Sequence, residues 1–226
     1  SITSGAVATV TSPYFITDRT VYDMTWEATM DNTDEIPANN VEQKYLTVGE
    51  TMAKDAWNYG YFLSGASFNG ITQTGFGNYF EFINADTIAS VSMMLVNTAQ
   101  SASTPGQTMQ ITVDEFGAGG AWTTIYTGFS AATQAGDYET GVNYDNFFTV
   151  DLDAPLPVEA GGYYRVGVID ITGANDATRF MCSLGDEPDT DLPGVIWDGS
   201  AWSGLSYVPF VRINMTTSPC GNIADV

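Results

Sequence analysis

The chain has 226 residues, of which 44% are apolar and 13% aromatic, and it carries 27 Asp and Glu, 6 Lys and Arg, no His and a net charge of −21. This length and apolar content suit one large β domain or two small ones. Without His, the chain lacks the commonest acid–base group and transition-metal ligand at neutral pH. The strong negative charge argues against nucleic acid and anionic membranes as partners, and it suits calcium, cationic surfaces or simple solubility.

Membrane and targeting segments are not expected in this sequence. No apolar run approaches the roughly 18 residues of a membrane-spanning helix, so we predict no membrane insertion. The first five residues, Ser-Ile-Thr-Ser-Gly, lack the basic and then apolar regions of a signal peptide. We expect that a signal peptide has been removed or that the sequence begins within a longer chain.

The first 60 residues are the hardest part of the chain to interpret. Residues 6–10 and 20–30 have the composition of strands, and an acidic loop covers 31–40. Residues 48–57 are the one stretch with a helical composition. Residues 1–60 therefore either open the same domain as the rest or end a preceding module. We predict a β-sandwich over 61–216 and a C-terminal linker over 217–226.

Alternation of apolar and polar residues dominates from about residue 79 onward. One face of each strand is predicted to be buried and the other wetted, which is typical of antiparallel sheets packed as a sandwich. The predicted inward sets are Val91, Met93 and Leu95; Met109, Ile111 and Val113; Phe148, Val150 and Leu152; Tyr164, Val166 and Val168; and Val211, Ile213 and Met215. The fold class predicted is all-β, an antiparallel jelly-roll-like β-sandwich.

Turn-forming residues separate these strands. The Gly-Ala-Gly-Gly stretch at 117–120 and the Asp-Gly pair at 198–199 predict hairpin loops. Pro155 and Pro157, followed by two glycines at 161–162, predict a bend between two strands, because proline cannot donate to a strand ladder.

The two cysteines, Cys182 and Cys220, favour a disulfide and an oxidising compartment. Closing a loop of that span stabilises a fold by about 3–4 kcal/mol in the chain-entropy model. The alternative is a pair of unrelated buried thiols. A zinc site is disfavoured, because two cysteines without His would need carboxylates to complete it.

A candidate metal site lies in the acidic stretch 185–191, Gly-Asp-Glu-Pro-Asp-Thr-Asp. Carboxylate oxygens gathered in a turn suit Ca²⁺, so Asp186, Asp189 and Asp191 are the predicted ligands of a structural calcium ion. The stretch does not have the spacing of an EF-hand. The alternative is a solvated acidic loop.

The aromatic content of the chain leaves carbohydrate binding open. Trp197 and Trp202 flank one predicted turn, and their flat faces could stack on sugar rings; the alternative is that they pack across strands or into the core. A glycosidase needs two carboxyls with different environments. Asp151 and Asp153 share one wet strand face, but nothing in the sequence gives them different environments, and exposed sheet carboxylates are the better explanation of the pair.

Six strand-like segments follow one another along the chain: GNYFEF at 77–82, TIASVS at 87–92, GQTMQITV at 106–113, FTVDL at 148–152, YYRVGV at 163–168 and PFVRIN at 209–214, with Trp202 before the last. This order of features over residues 60–215 resembles the jelly-roll β-sandwich modules of large secreted or cell-surface, adhesin-like proteins of Bacteroidetes-type bacteria. The resemblance covers about two-thirds of the chain, carries no catalytic signature and omits the first 60 residues. It implies an adhesive, carbohydrate-binding or spacer unit, and fold alone does not fix which.

We therefore predict a non-catalytic structural or adhesive module of a larger surface protein or assembly, secreted or at the cell surface. Its partners would be other modules or subunits of that assembly, meeting it at an uncovered strand edge or apolar patch, which we expect in the N-terminal segment. The alternative is a carbohydrate-binding module that uses Trp197 and Trp202 to hold a glycan.

Overall fold

A computed structural model describes residues 21–27, 41–47, 51–54, 59–64, 67, 73–82, 84–141, 145–172, 177–184, 194–216 and 224–225. Within these ranges the regular structure is eighteen strands and one three-residue 3₁₀ turn, Ala135–Asp137. The strands are β1 Val21–Glu27, β2 Val41–Thr47, β3 Thr51–Met52, β4 Tyr59–Leu63, β5 Gly75–Glu81, β6 Asp86–Met93, β7 Leu95–Val96, β8 Met109–Phe116, β9 Trp122–Phe129, β10 Tyr138–Glu139, β11 Phe148–Val158, β12 Tyr163–Asp170, β13 Arg179–Leu184, β14 Gly194–Trp197, β15 Trp202–Leu205, β16 Tyr207–Pro209, β17 Val211–Met215 and β18 Ala224–Asp225.

One layer of the fold is a six-stranded antiparallel sheet in the order β15-β14-β5-β12-β8-β9. The other layer consists of two adjoining sheets, β11-β6-β17-β3 and β10-β7-β13-β16, with β4 on the free side of β13. Among these pairings only β10 with β7 is parallel. Successive strands or hairpins alternate between the layers, as they do in a jelly roll.

A junction of three strands joins the two sheets of the second layer. The β6–β7 and β16–β17 segments are interrupted at Met94 and Phe210, and β13 meets both interruptions at Met181. The three backbones form a ring of hydrogen bonds: Met94 N–H donates to Phe210 O at 3.0 Å, Phe210 N–H to Met181 O at 2.9 Å, and Met181 N–H to Met94 O at 3.0 Å. The three side chains and Val96 form a separate buried apolar cluster there.

The main core lies between the two layers and is built from the predicted alternating faces. Ile111, Val113, Val166 and Val168 on one layer, and Ile213 on the other, are fully buried in one apolar cluster. Inside it, the Asn78 side-chain amide donates to the carbonyls of Pro209 at 2.8 Å and Val211 at 2.9 Å, which ties the layers together. The predicted antiparallel jelly-roll-like β-sandwich is confirmed.

The N-terminal region contributes to more than one sheet. Thr51–Met52 forms a strand that pairs with β17. The helix predicted over 48–57 is therefore wrong at these two residues, because they complete the edge of a sheet. β1, β2 and β18 form a separate three-stranded sheet, so part of the predicted linker is paired. Most of 1–60 and 217–226 lies outside the described residues, and the domain boundaries at 60 and 216 stay predictions.

Both predicted hairpin loops are present. Gly120 has a φ of 76° between β8 and β9, and Gly199 has a φ of 94° between β14 and β15; both values lie in the left-handed region that favours glycine. The prolines differ from expectation, because Pro155 and Pro157 lie within β11 instead of between strands. β11 is an edge strand with a register shift between Asp151 and Leu156, which is where a sheet tolerates proline.

Candidate ligand-binding face

The outer face of the six-stranded sheet, which points away from the core, has glycine and aromatic residues where a wetted face was predicted. Gly75 and Gly77 on β5 lie opposite Ile169 and Gly167 on β12 in the strand register. A Cβ on Gly77 would overlap the Val166 carbonyl oxygen, so this part of the face accepts no side chain. The glycines form a shallow depression across the two central strands.

Trp202 fills this depression from the far edge of the sheet. Its benzo ring occupies the space where a Cβ on Gly167 would lie. β15 is three strand positions from β12, so a flat sheet would hold their backbones about 14 Å apart, beyond the reach of an indole side chain. The contact between Trp202 and Gly167 therefore requires the sheet to be concave on this outer face, which brings β15 closer to β12.

The same concave shape places Arg165 between two tryptophans from opposite ends of the sheet. The Arg165 guanidinium carbon lies 4.6 Å from the ring centre of Trp122 on β9 and 5.5 Å from that of Trp202 on β15. Arg165 is consequently 9% exposed, although strand alternation predicted a wetted position. Each contact has the geometry of a cation–π interaction.

Asp114 neutralises the buried guanidinium. Arg165 donates to Asp114 Oδ2 from Nη2 at 2.8 Å and from Nε at 2.9 Å. The other carboxylate oxygen accepts the Thr124 hydroxyl at 2.5 Å. Asp114 is 3% exposed, so both charges of the pair are withdrawn from water and each depends on the other.

An aromatic stack continues the face beside this ion pair. Tyr79 stacks on Trp122, with ring centres 5.3 Å apart, and on Tyr163 at 5.5 Å. Phe116 lies 5.0 Å from Trp122. Burial raises the pKa of the Tyr79 hydroxyl, and the positive charge of Arg165 offsets part of that rise. The stack offers partly exposed ring surface and a neutral hydroxyl at physiological pH.

The structure brings the predicted ligand-binding pair together. Trp197 and Trp202 are cross-strand partners, with ring centres 5.5 Å apart and planes at 59°. Both are half-buried. Trp202 also packs on Gly167 and Arg165, whereas the ring contact of Trp197 with a described residue is the one with Trp202. A glycan-binding role for the pair stays a prediction.

The other predicted sites are described only in part. Cys182 is a free, fully buried thiol whose pKa is raised by burial, while Cys220 lies outside the described residues, so their disulfide stays a prediction. Asp186, Asp189 and Asp191 also lie outside those residues, and the calcium site with them. In the part of the chain that is described, no three Cys, Asp or Glu side chains gather as a metal site.

The carboxylates of Asp151 and Asp153 lie on the outer face of β11. Both residues are exposed, in agreement with the predicted wet face. The Asp153 backbone N–H donates to the Tyr126 hydroxyl of β9 at 3.2 Å, which joins the edges of the two layers.

A second surface feature, which the sequence analysis did not single out, is an apolar edge at β8 and β9. The exposed large apolar residues of the described chain are Phe116 at 43%, Ile125 at 36% and Phe129 at 60%, and all three belong to this hairpin. The signal was present as the uncharged run WTTIYTGF, but only the sheet order shows that this run is an edge strand.

Comparison with known proteins leaves the family open. No family model matches the chain, and no curated protein matches it. Among solved structures, a chain of "Structure of infectious bursal disease virus Gt strain" aligns with 12% identity and a TM-score of 0.20, over 97% of this chain. This chain spans 44% of the length of that viral chain. Likeness at this level carries no argument about function. Within the part of the chain that the structure describes, no helical segment has the length and hydropathy of a membrane span.

Proposed function

We propose that this chain is a non-catalytic, extracellular structural or adhesive β-sandwich module of a larger surface protein or assembly. The observation that carries the proposal is the apolar edge formed by Phe116, Ile125 and Phe129 on one hairpin. Single exposed apolar residues are ordinary, but these three lie along one hairpin, with Phe116 at its turn end, Ile125 near its middle and Phe129 at its open end. Their concentration on one hairpin favours a contact surface there. The all-β sandwich is consistent with a module of this kind.

The charge of the chain supports an extracellular contact role. A net charge of −21 keeps the module soluble and repels nucleic acid and anionic membranes. β9 has no charged residue, so a partner can approach that edge without meeting a carboxylate on the strand itself. The resemblance to Bacteroidetes-type surface modules points in the same direction.

The test is crosslinking in cells that make the protein. Phe129 is replaced by a photoreactive phenylalanine analogue, and Ala201, exposed on the β14–β15 turn, is replaced by the same analogue as a control. We expect covalent adducts from position 129 and few from position 201, on protein that a membrane-impermeant reagent labels on intact cells. Equal yields from both positions, or protein protected from the reagent, would contradict the proposal.

Calcium is proposed as a structural ligand of this module through Asp186, Asp189 and Asp191. A ligand that binds only the folded state raises the unfolding midpoint by mass action. About 2 mM CaCl₂ should therefore raise Tm by several degrees relative to EDTA, and Asp189→Ala should remove the rise. An equal Tm in both conditions would leave the stretch as a solvated acidic loop.

A second candidate function is carbohydrate binding, and the specific observation in its favour is the half-buried Trp197–Trp202 pair. A glycan array with the whole chain tests it, using Trp197→Ala as the informative variant. Trp202→Ala is a poorer choice because Trp202 also packs on Gly167 and Arg165. Glycan binding that Trp197→Ala abolishes would support this function; binding that survives the substitution, or no binding at all, would count against it.

A further inference from the structure

β9 is a long edge strand among the described residues, with no charge and no proline, and its one guarding feature is a bulge at Ile125. It pairs with β8 on one side, and no described strand pairs with its other side. Folded proteins usually guard such an edge with charge, proline, a bulge or very short length, because unpaired backbone groups bind other strands. β9 has eight residues with no charge and no proline, which makes it the longest such edge among the described strands.

Among the described strands, the other edges of the two layers are shorter than β9 or carry guarding residues. β4, with five uncharged residues paired to β13 on one side, relies on its shorter length alone. β11 has Pro155, Pro157, a register shift and the exposed carboxylates of Asp151 and Asp153. β3 and β10 have two residues each, and β15 has four. β9 therefore offers the longest uncharged, proline-free row of backbone groups for pairing with another strand among the described edges.

The sequence of β9 is complementary to itself. Two copies of β9 can be placed side by side in antiparallel orientation, with the centre of the pair between Ile125 and Tyr126. The first residue of one copy then lies opposite the last residue of the other. The resulting cross-strand partners are Trp122 with Phe129, Thr123 with Gly128, Thr124 with Thr127, and Ile125 with Tyr126. Aromatic pairs and Thr–Thr pairs are among the combinations that stabilise neighbouring strands.

The one irregularity of β9 falls at the centre of this arrangement. The register with β8 steps from Tyr126 opposite Val113 to Thr124 opposite Asp114, so Ile125 is the extra residue of a bulge. Because both copies of β9 carry this bulge at the two-fold axis, neither strand gains a residue relative to the other. The residues on either side of the bulge therefore keep the cross-strand partners given above. Three regular residues remain on one side of it and four on the other.

We infer that two copies of this chain associate by antiparallel pairing of β9 with β9, which extends the six-stranded sheet across a two-fold axis. The inference rests on the proposed assembly role and names its partner. No charged side chain of β9 opposes another at this interface, although β11, which contacts β9 through the Asp153 backbone N–H and the Tyr126 hydroxyl, carries the exposed carboxylates of Asp151 and Asp153. Association should therefore strengthen when salt screens them.

The contact is expected to be weak. Stable protein interfaces bury about 1,200–2,000 Å² in total, and one eight-residue strand pair lies at or below that range. Association is therefore expected only at high protein concentration. Many copies displayed on one surface would bind more tightly through effective concentration.

Sedimentation equilibrium of the whole chain tests the inference. Ile125 is next to its own copy across the axis, so Ile125→Lys and Ile125→Asp should each be monomeric, and an equal mixture of the two should regain the dimer mass. Ala118→Lys and Ala118→Asp, exposed at the turn of the same hairpin, are the matched controls and should dimerise like the parent chain. Raising NaCl from about 50 to about 500 mM should increase the dimer fraction.

Several results would overturn the inference: a monomeric parent chain up to about 1 mM, equal loss in the Ala118 variants, a mixture that stays monomeric, or dimerisation that weakens with salt. A monomeric chain that still crosslinks from position 129 would sink this inference alone and leave the proposed function standing. A dimer that forms through β9 in solution, without crosslinks in cells, would support this inference and contradict the proposed function.

Discussion

The buried pair of Arg165 and Asp114 should contribute to stability in a way that depends on both partners. Arg165→Met removes two hydrogen bonds to Asp114 Oδ2, at 2.8 and 2.9 Å, and leaves a carboxylate that is 3% exposed with the Thr124 hydroxyl alone. Breaking a buried pair in this manner costs about 3–5 kcal/mol. The two lost contacts with Trp122 and Trp202 add about 0.5–1 kcal/mol each.

The double variant Arg165→Met/Asp114→Leu should recover most of that loss, because apolar side chains need no charge partner in this setting. We expect its free energy of unfolding to lie within about 2 kcal/mol of the parent chain. Arg212→Met is the comparison: Arg212 is half-buried beside the Phe147 ring, at 4.0 Å from its centre, so water screens its charge more than that of Arg165 and its loss should cost less than that of Arg165.

The assay is urea unfolding followed by far-UV circular dichroism, which does not depend on the tryptophans in contact with Arg165. The reasoning would be refuted if Arg165→Met cost less than about 1 kcal/mol, or if the double variant lost the sum of the two single losses. Either outcome would mean that the pair is solvated more than its burial suggests.

Three further outcomes follow from single positions. Gly77→Ala should severely destabilise the fold because its Cβ would overlap a backbone oxygen, whereas Gly119→Ala, with open space around it, should leave Tm nearly unchanged; a loss of equal size in both would contradict this. Because burial raises the pKa of Tyr79, the neutral hydroxyl contributes to stability fully below about pH 10, and this contribution is lost as the pH rises further. Urea unfolding between about pH 8 and 11, with tyrosinate absorbance, should show the free energy of unfolding fall on the alkaline side only. Cys182 should not react with a thiol reagent in the native state and should react after denaturation; a chain with the predicted disulfide would instead need a reductant before that reaction appeared.

The strands and hairpins of the sandwich could be predicted from the sequence because their signals are local. Alternation at Met109, Ile111 and Val113 gave the correct buried face, and glycine marked the turn at 120. Alternation could not reveal that Arg165 is buried, since it reports which face a side chain occupies and not how the sheet bends. That bend depends on Trp202, 37 positions away in the chain (202 − 165).

The candidate contact surface was harder to predict for a related reason. An apolar edge was expected in the N-terminal segment, but the described chain has it at β8 and β9. The residues of WTTIYTGF are compatible with a central strand or an edge strand, and only the long-range order of the sheet distinguishes the two. Trp197 and Trp202 were paired correctly because a single short turn joins their strands.

The ring of backbone hydrogen bonds at Met94, Met181 and Phe210 has a kinetic consequence. Met94 and Met181 are 87 positions apart (181 − 94), and Phe210 is 29 positions further along (210 − 181), so no local segment can close the ring by itself. Two long loops must lose their entropy before the third bond forms. Folding through such distant contacts is slow, on the millisecond-to-second scale of all-β domains. If the ring closes after the rate-limiting step, substitutions at Met94 will speed unfolding and leave the folding rate nearly unchanged.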